Sequence, residues 1–119
     1  MLEQIQKKHF SQLPPLNLIW GLEGKRGQRK TIRLASFWPE RMEIRLHPFL
    51  KDPRIPEYYL KYLLFHELCH AHLMSQGETS ESHHHNDEFY RLEKRFESYQ
   101  KATLWEEEHL SEILSEHQD

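Results

Sequence analysis

The chain has 119 residues, 37% of them apolar and 29% charged, and a net charge of −3. That suits one domain around a single core, with no apolar run long enough to span a bilayer. The opening "MLEQIQKKHF" lacks the apolar stretch and cleavage site of a signal peptide, and a lone cysteine, Cys69, excludes an internal disulfide. A cytoplasmic protein is therefore expected. Charge is uneven: residues 1–61 carry 12 Lys/Arg against 6 Asp/Glu, whereas residues 62–119 carry 4 against 13.

"LEQIQKKHFSQL" (2–13) predicts a short helix, ended by Pro14 and Pro15. "LNLIWG" (16–21) and "KTIRLASFW" (30–38) have the alternation and β-branched or aromatic content of strands. Gly24 and Gly27 between them suggest a hairpin-like turn. The basic "GKRGQRK" in that turn reads most simply as a solvated connection. "RMEIRLHPF" (41–49) predicts a third strand, giving a small, mainly antiparallel sheet whose third strand could offer its edge to an extended peptide.

Pro56 suits a first helical position, Glu57 the positive end of a helix dipole, and Gly77 a C-terminal stop. Together they predict a helix of about twenty residues. After a polar loop at 78–82, Asn86 is a plausible cap for a second long helix. Phe89, Leu92, Phe96, Tyr99 and Thr103 carry that helix at helical spacing to at least Leu104. The acidic "WEEEHLSEILSEHQD" (105–119) predicts a helical tail. A core over about 14–104 plus this tail makes a single α+β domain.

The first long helix carries "LLFHELCHAHL" (63–73), in which His66-Glu67-Leu68-Cys69-His70 matches H-E-x-x-H. With 10 His and 16 Glu in the chain, such a match arises by chance in roughly one sequence in ten, so context has to decide. Here the context is an apolar helix, where an unpartnered His-Glu-His group would be costly. Positions i and i+4 differ by about 40° in azimuth, so both imidazoles can point at one ion, which neutral imidazole favours when it is zinc. Glu67, about 100° round from His66, stands beside the ion, where a carboxylate can take a proton from water. His72 lies about 200° beyond His70 and faces away. Cys69 reads as a core residue.

Catalytic zinc generally keeps three protein ligands. The third would come from "SHHHNDEFYRL" (82–92) at the mouth of the next helix. "LLFHELCHAHL" followed by "HNDEF" resembles the small zinc metallopeptidase domains of the SprT-like and YgjP-like (WLM-related) group. The likeness covers about residues 30–97. It implies a zincin-like fold with His66 and His70 on zinc, Glu67 as general base, His85 as third ligand in H-x-x-x-F, and Phe89 as the anchor of that turn. Asn86 stands where that group usually has a small residue. The chain's size also resembles the minigluzincins, whose third ligand is a glutamate. His83, His84 and Glu88, the last 18 residues past His70, stay open beside His85.

The resemblance implies a zinc-dependent peptidase acting on a peptide or protein, and the lack of a spanning apolar run leaves no membrane partner expected. Tyr58, Tyr62, Tyr90 and Arg91 are available as oxyanion donors, although packing accounts for each. The alternatives are a non-catalytic zinc-binding interaction module and a nucleic-acid-associated protease using 24–30. In a further variant of the peptidase reading, the acidic tail keeps the enzyme latent.

Overall fold

In the computed structural model, which describes residues 2–21, 34–77 and 87–116, the chain opens with helix α1 (Leu2–His9). Leu2, Ile5 and Phe10 turn their apolar side chains into the core. The helix is shorter than the expected 2–13. Gln6 donates its side-chain amide to the Pro14 carbonyl at 2.6 Å, which folds the chain back before the prolines.

Strands β1 (Asn17–Trp20), β2 (Ala35–Trp38) and β3 (Glu43–Leu46) form one sheet in the order β1-β3-β2. β1 pairs parallel to β3, from Asn17 opposite Glu43 to Trp20 opposite Leu46. β2 pairs antiparallel to β3, from Ala35 opposite Leu46 to Trp38 opposite Glu43. The sheet is thus mixed rather than mainly antiparallel, and the hairpin expected between the first two strands is not formed. The tight connection is the next one. Pro39–Arg41 makes a 3₁₀ turn, and Met42 closes it in the left-handed region at φ 48°. So short a link makes β2 and β3 antiparallel neighbours and leaves β1 the opposite edge of β3. The basic turn at 24–30 lies outside the described residues.

The helix carrying the motif, α2 (Glu57–Ser75), starts after Pro56 and stops at Gly77, where φ is 93°. Glycine adopts that conformation at no steric cost, which is why the helix ends there. α2 is apolar nearly all round and accordingly has neighbours all round: α1, β2, α3 (Asp87–Glu93) and α4 (Tyr99–Trp105). Tyr59, Leu64, Leu68, Cys69 and Leu73 are completely buried. No described helix is long and apolar enough to cross a membrane.

The single long helix expected from Asn86 to Leu104 is instead two, broken at 94–98. Arg95 and Phe96 donate to Leu92 and Glu93, three residues back, which tightens and ends α3. The break has no glycine or proline. Tertiary packing accounts for it: Phe96 lies 5.3 Å from the Phe65 ring, while Glu93 reaches His66. Beyond α4 the chain continues through a π-helical stretch (Glu106–Leu110) into α5 (Ser111–Glu116), with Ile113 buried.

Candidate metal centre

One turn of α2 separates His66 from His70, and their ring centroids lie 5.1 Å apart. Each of His66, Glu67 and His70 offers a ligand atom within 4.8 Å of the other two. Glu67 is buried, with an oxygen 3.9 Å from His66 Nε2. The Phe89 ring, completely buried in the first turn of α3, packs 4.9 Å from His66 and 4.5 Å from His70. It presses the start of α3 against the histidine pair, consistent with the anchoring expected of it.

His66 is fixed from behind. Its Nδ1 lies 2.6 Å from Glu93 Oε2, and the Tyr62 hydroxyl donates to the other oxygen, Oε1, at 2.9 Å. On the same face of the helix, about two turns before His66, the Tyr59 hydroxyl donates to Glu106 at 2.6 Å. Burial alone lowers the pKa of His66. The bond to Glu93 and the charges of Glu67, Glu93 and Glu106 more than offset this, so the net shift is upward. Burial, reinforced by Glu93 and Glu67, pushes the Cys69 thiol up, in keeping with a core residue and not a thiolate ligand.

These groups open onto a cavity of about 330 Å³. Tyr59, Tyr62, His66 and Glu67 line it from α2, Ala35 from β2, and Glu106, Leu110 and Leu114 from the tail. The strand beside the histidines is therefore β2. The third strand, 41–47, was expected to offer its edge there, but β3 is flanked on both sides and has no edge to give.

His85 lies outside the described residues, as do His83, His84 and Asn86. Glu88 is exposed on α3 and is not among the three residues that converge. His72 faces α1, its ring 5.6 Å from Phe10, as its azimuth predicts. Among the tyrosines, Tyr62 reaches the site but spends its proton on Glu93. Tyr58 sits under Lys101, 4.3 Å from its ring centre, and Tyr90 is exposed. Arg91 is exposed as well. Sequence reasoning missed Glu93, Tyr59 and Glu106. For Glu93 a signal existed: it is four residues past Phe89 and so shares its inward face.

The donor chemistry fits a divalent metal. Two imidazoles converge beside a carboxylate, and Glu67, Glu93 and Glu106 give the surroundings a charge that favours a cation. A histidine-bearing helix beneath the edge of a small sheet, with a carboxylate next to the histidines, makes a class of domain that could hold a metal ion in the manner of a metalloprotease. The chain belongs to the SprT-like family, whose model matches residues 1–109. Neither curated proteins nor solved structures give a match.

Proposed function

We propose that this chain is a zinc-dependent metallopeptidase that hydrolyses peptide bonds. The convergence of His66, Glu67 and His70, the first two on the wall of the cavity, is the observation that carries the reading. His66 and His70 would hold the ion, with His85 as third ligand. Phe89 supports that choice, because it docks the chain just downstream of His85 against both rings. When bound, zinc acidifies a water and polarises a carbonyl. Glu67 takes the proton from the attacking water and delivers it to the leaving amine. The edge of β2, reached at Ala35 on the cavity wall, would pair with an extended substrate and present its scissile bond to Glu67. The single buried thiol, Cys69, is in keeping with work in a reducing cytoplasm.

The test is zinc content and peptide hydrolysis measured side by side. Glu67→Gln should retain zinc while hydrolysis falls roughly 10²- to 10⁴-fold. His66→Ala, His70→Ala and His85→Ala should each lose zinc. Zinc bound without hydrolysis in wild type and Glu67→Gln alike would defeat the peptidase reading and leave a zinc-binding interaction module, whereas full hydrolysis in Glu67→Gln would remove Glu67 as the base. Zinc kept in His85→Ala but lost in Glu88→Ala would move the third ligand. A nucleic-acid contact through 24–30 would appear as salt-sensitive DNA binding, lost on Lys/Arg→Ala there.

One observation favours latency. Glu106, Leu110 and Leu114 share the cavity with His66 and Glu67, and Tyr59 holds Glu106 at 2.6 Å. The tail therefore occupies one wall of the space a substrate would enter. Hydrolysis that rises on truncation after Trp105 supports this; unchanged hydrolysis in a folded truncation rejects it.

A further inference from the structure

Glu93 belongs neither to the H-E-x-x-H motif nor to the group of three residues that converge, yet both of its oxygens are engaged beside them. Its side chain is only 4% exposed. One oxygen lies 2.6 Å from His66 Nδ1, and the other accepts from the Tyr62 hydroxyl at 2.9 Å. Tyr62 and His66 are one turn apart on α2, so a single carboxylate from the end of α3 can span both. A carboxylate buried to this degree is costly unless charge-assisted hydrogen bonds satisfy it, and here both oxygens are engaged.

We propose that Glu93, itself held by Tyr62, is a positioning residue that keeps the His66 proton on Nδ1 and so presents Nε2 to the metal. An imidazole has two nitrogens, and the partner of one decides which the other can be. A carboxylate acceptor at 2.6 Å stabilises the tautomer protonated at Nδ1. The remaining nitrogen, Nε2, is the one turned toward Glu67, at 3.9 Å. The same contact fixes the plane of the ring. Histidine ligands with such a carboxylate behind them are better oriented and more basic toward the ion. The role of Tyr62 follows from its donor. By occupying Oε1 it leaves Oε2 to the imidazole, which accounts for a buried tyrosine that faces the cavity without serving it.

Glu93 is not itself a ligand on this geometry. Its oxygens point at the back of His66 and at Tyr62, and the converging group is His66, Glu67 and His70 alone among the described residues. The assignment takes its metal from the peptidase reading, so the experiment has an arm that needs no metal. Nitrogen-detected NMR of the zinc-free protein at alkaline pH, where the ring is neutral, reads the His66 tautomer directly. Wild type should show the proton on Nδ1, and Glu93→Ala should lose that preference. Competition with a chromogenic chelator then gives zinc affinity. It should fall roughly 10- to 100-fold in Glu93→Ala. Glu93→Gln keeps an acceptor for Nδ1 and should recover most of it, whereas Tyr62→Phe should lose a few-fold.

A residue that serves only the packing of α3 would lower the melting temperature without moving the tautomer or the relative affinities of the Gln and Ala variants. A wild-type proton on Nε2, or equal zinc affinity in Glu93→Ala and wild type, overturns the proposal. Absence of zinc binding in wild type would remove the peptidase reading, while the tautomer would still decide for or against Glu93.

Discussion

Two tyrosines on one helix each donate to a glutamate, and what holds each glutamate differs. Tyr62 meets Glu93, which is buried at the end of α3 and also braces His66. Tyr59 meets Glu106, which is half-buried on the cavity wall and arrives with the tail. The hydrogen bonds are of similar length, 2.9 Å and 2.6 Å, so length does not set their importance. The surroundings do. Glu93 has a second partner and no access to water that could replace it. Glu106 borders a cavity where water or a substrate group could take its place. The first pair is built into the site, and the second is a contact the tail can make or break.

The largest effect should come from breaking the inner pair. Glu93→Ala strands the Tyr62 hydroxyl and the back of His66 in the interior, at a cost of about 3 kcal/mol. For a chain of this size that is a drop of roughly 10 °C in melting temperature, measurable by calorimetry on the zinc-free protein. A drop no larger than that of an exposed Glu→Ala control, such as Glu97→Ala, would show that Glu93 is not an interior partner. Glu106→Ala should cost about 1 kcal/mol, because solvent can reach Tyr59 from the cavity once the carboxylate is gone. If the tail occludes the site, the same variant should raise peptide hydrolysis a few-fold while Glu93→Ala lowers it. Equal and opposite outcomes would sharpen the distinction between the pairs, and loss of activity in both would erase it.

The inner half of this comparison was half legible in the sequence. H-E-x-x-H can be read because helix geometry alone brings i and i+4 together, and Pro56 and Gly77 mark the helix ends through local backbone chemistry. The α+β class and the three strands followed from periodicity. What could not be read depends on contacts distant in the chain. Glu93 lies within "EKRFE", a run that looks solvated; its spacing from Phe89 puts it on the inward face, but its partners Tyr62 and His66 are far away in the chain. The break has no sequence marker, because Phe65 and the histidine wall that cause it are more than twenty residues away. Strand order failed for a related reason. Parallel pairing of β1 with β3 is decided by the short Pro39–Arg41 link beyond β2 and not by any feature of β1 itself. That order also removed β3 as a docking edge and put β2 beside the site.

The subtlest way to separate the pairs is alkaline titration. Burial first, then the bond to and charge of Glu106, raises the pKa of the Tyr59 phenol. Burial first, then the charge of and bond to Glu93, raises that of Tyr62. Below the ordinary tyrosine value of about 10 both phenols are protonated in the folded and the unfolded chain, so neither adds a pH dependence. Above it the unfolded chain releases two protons that the fold retains, and stability falls as pH rises. Each tyrosine contributes a slope of up to about 1.4 kcal/mol per pH unit in that window. Tyr59→Phe and Tyr62→Phe should each remove one such share, read from denaturant midpoints of the zinc-free protein at a series of alkaline pH values. Glu106→Ala should remove only part of the share of Tyr59, because burial remains while the carboxylate goes, and should leave that of Tyr62 nearly intact. If Glu106→Ala took as much from the share of Tyr59 as Glu93→Ala takes from that of Tyr62, the tail would hold Glu106 as firmly as α3 holds Glu93 and would be part of the site's permanent wall.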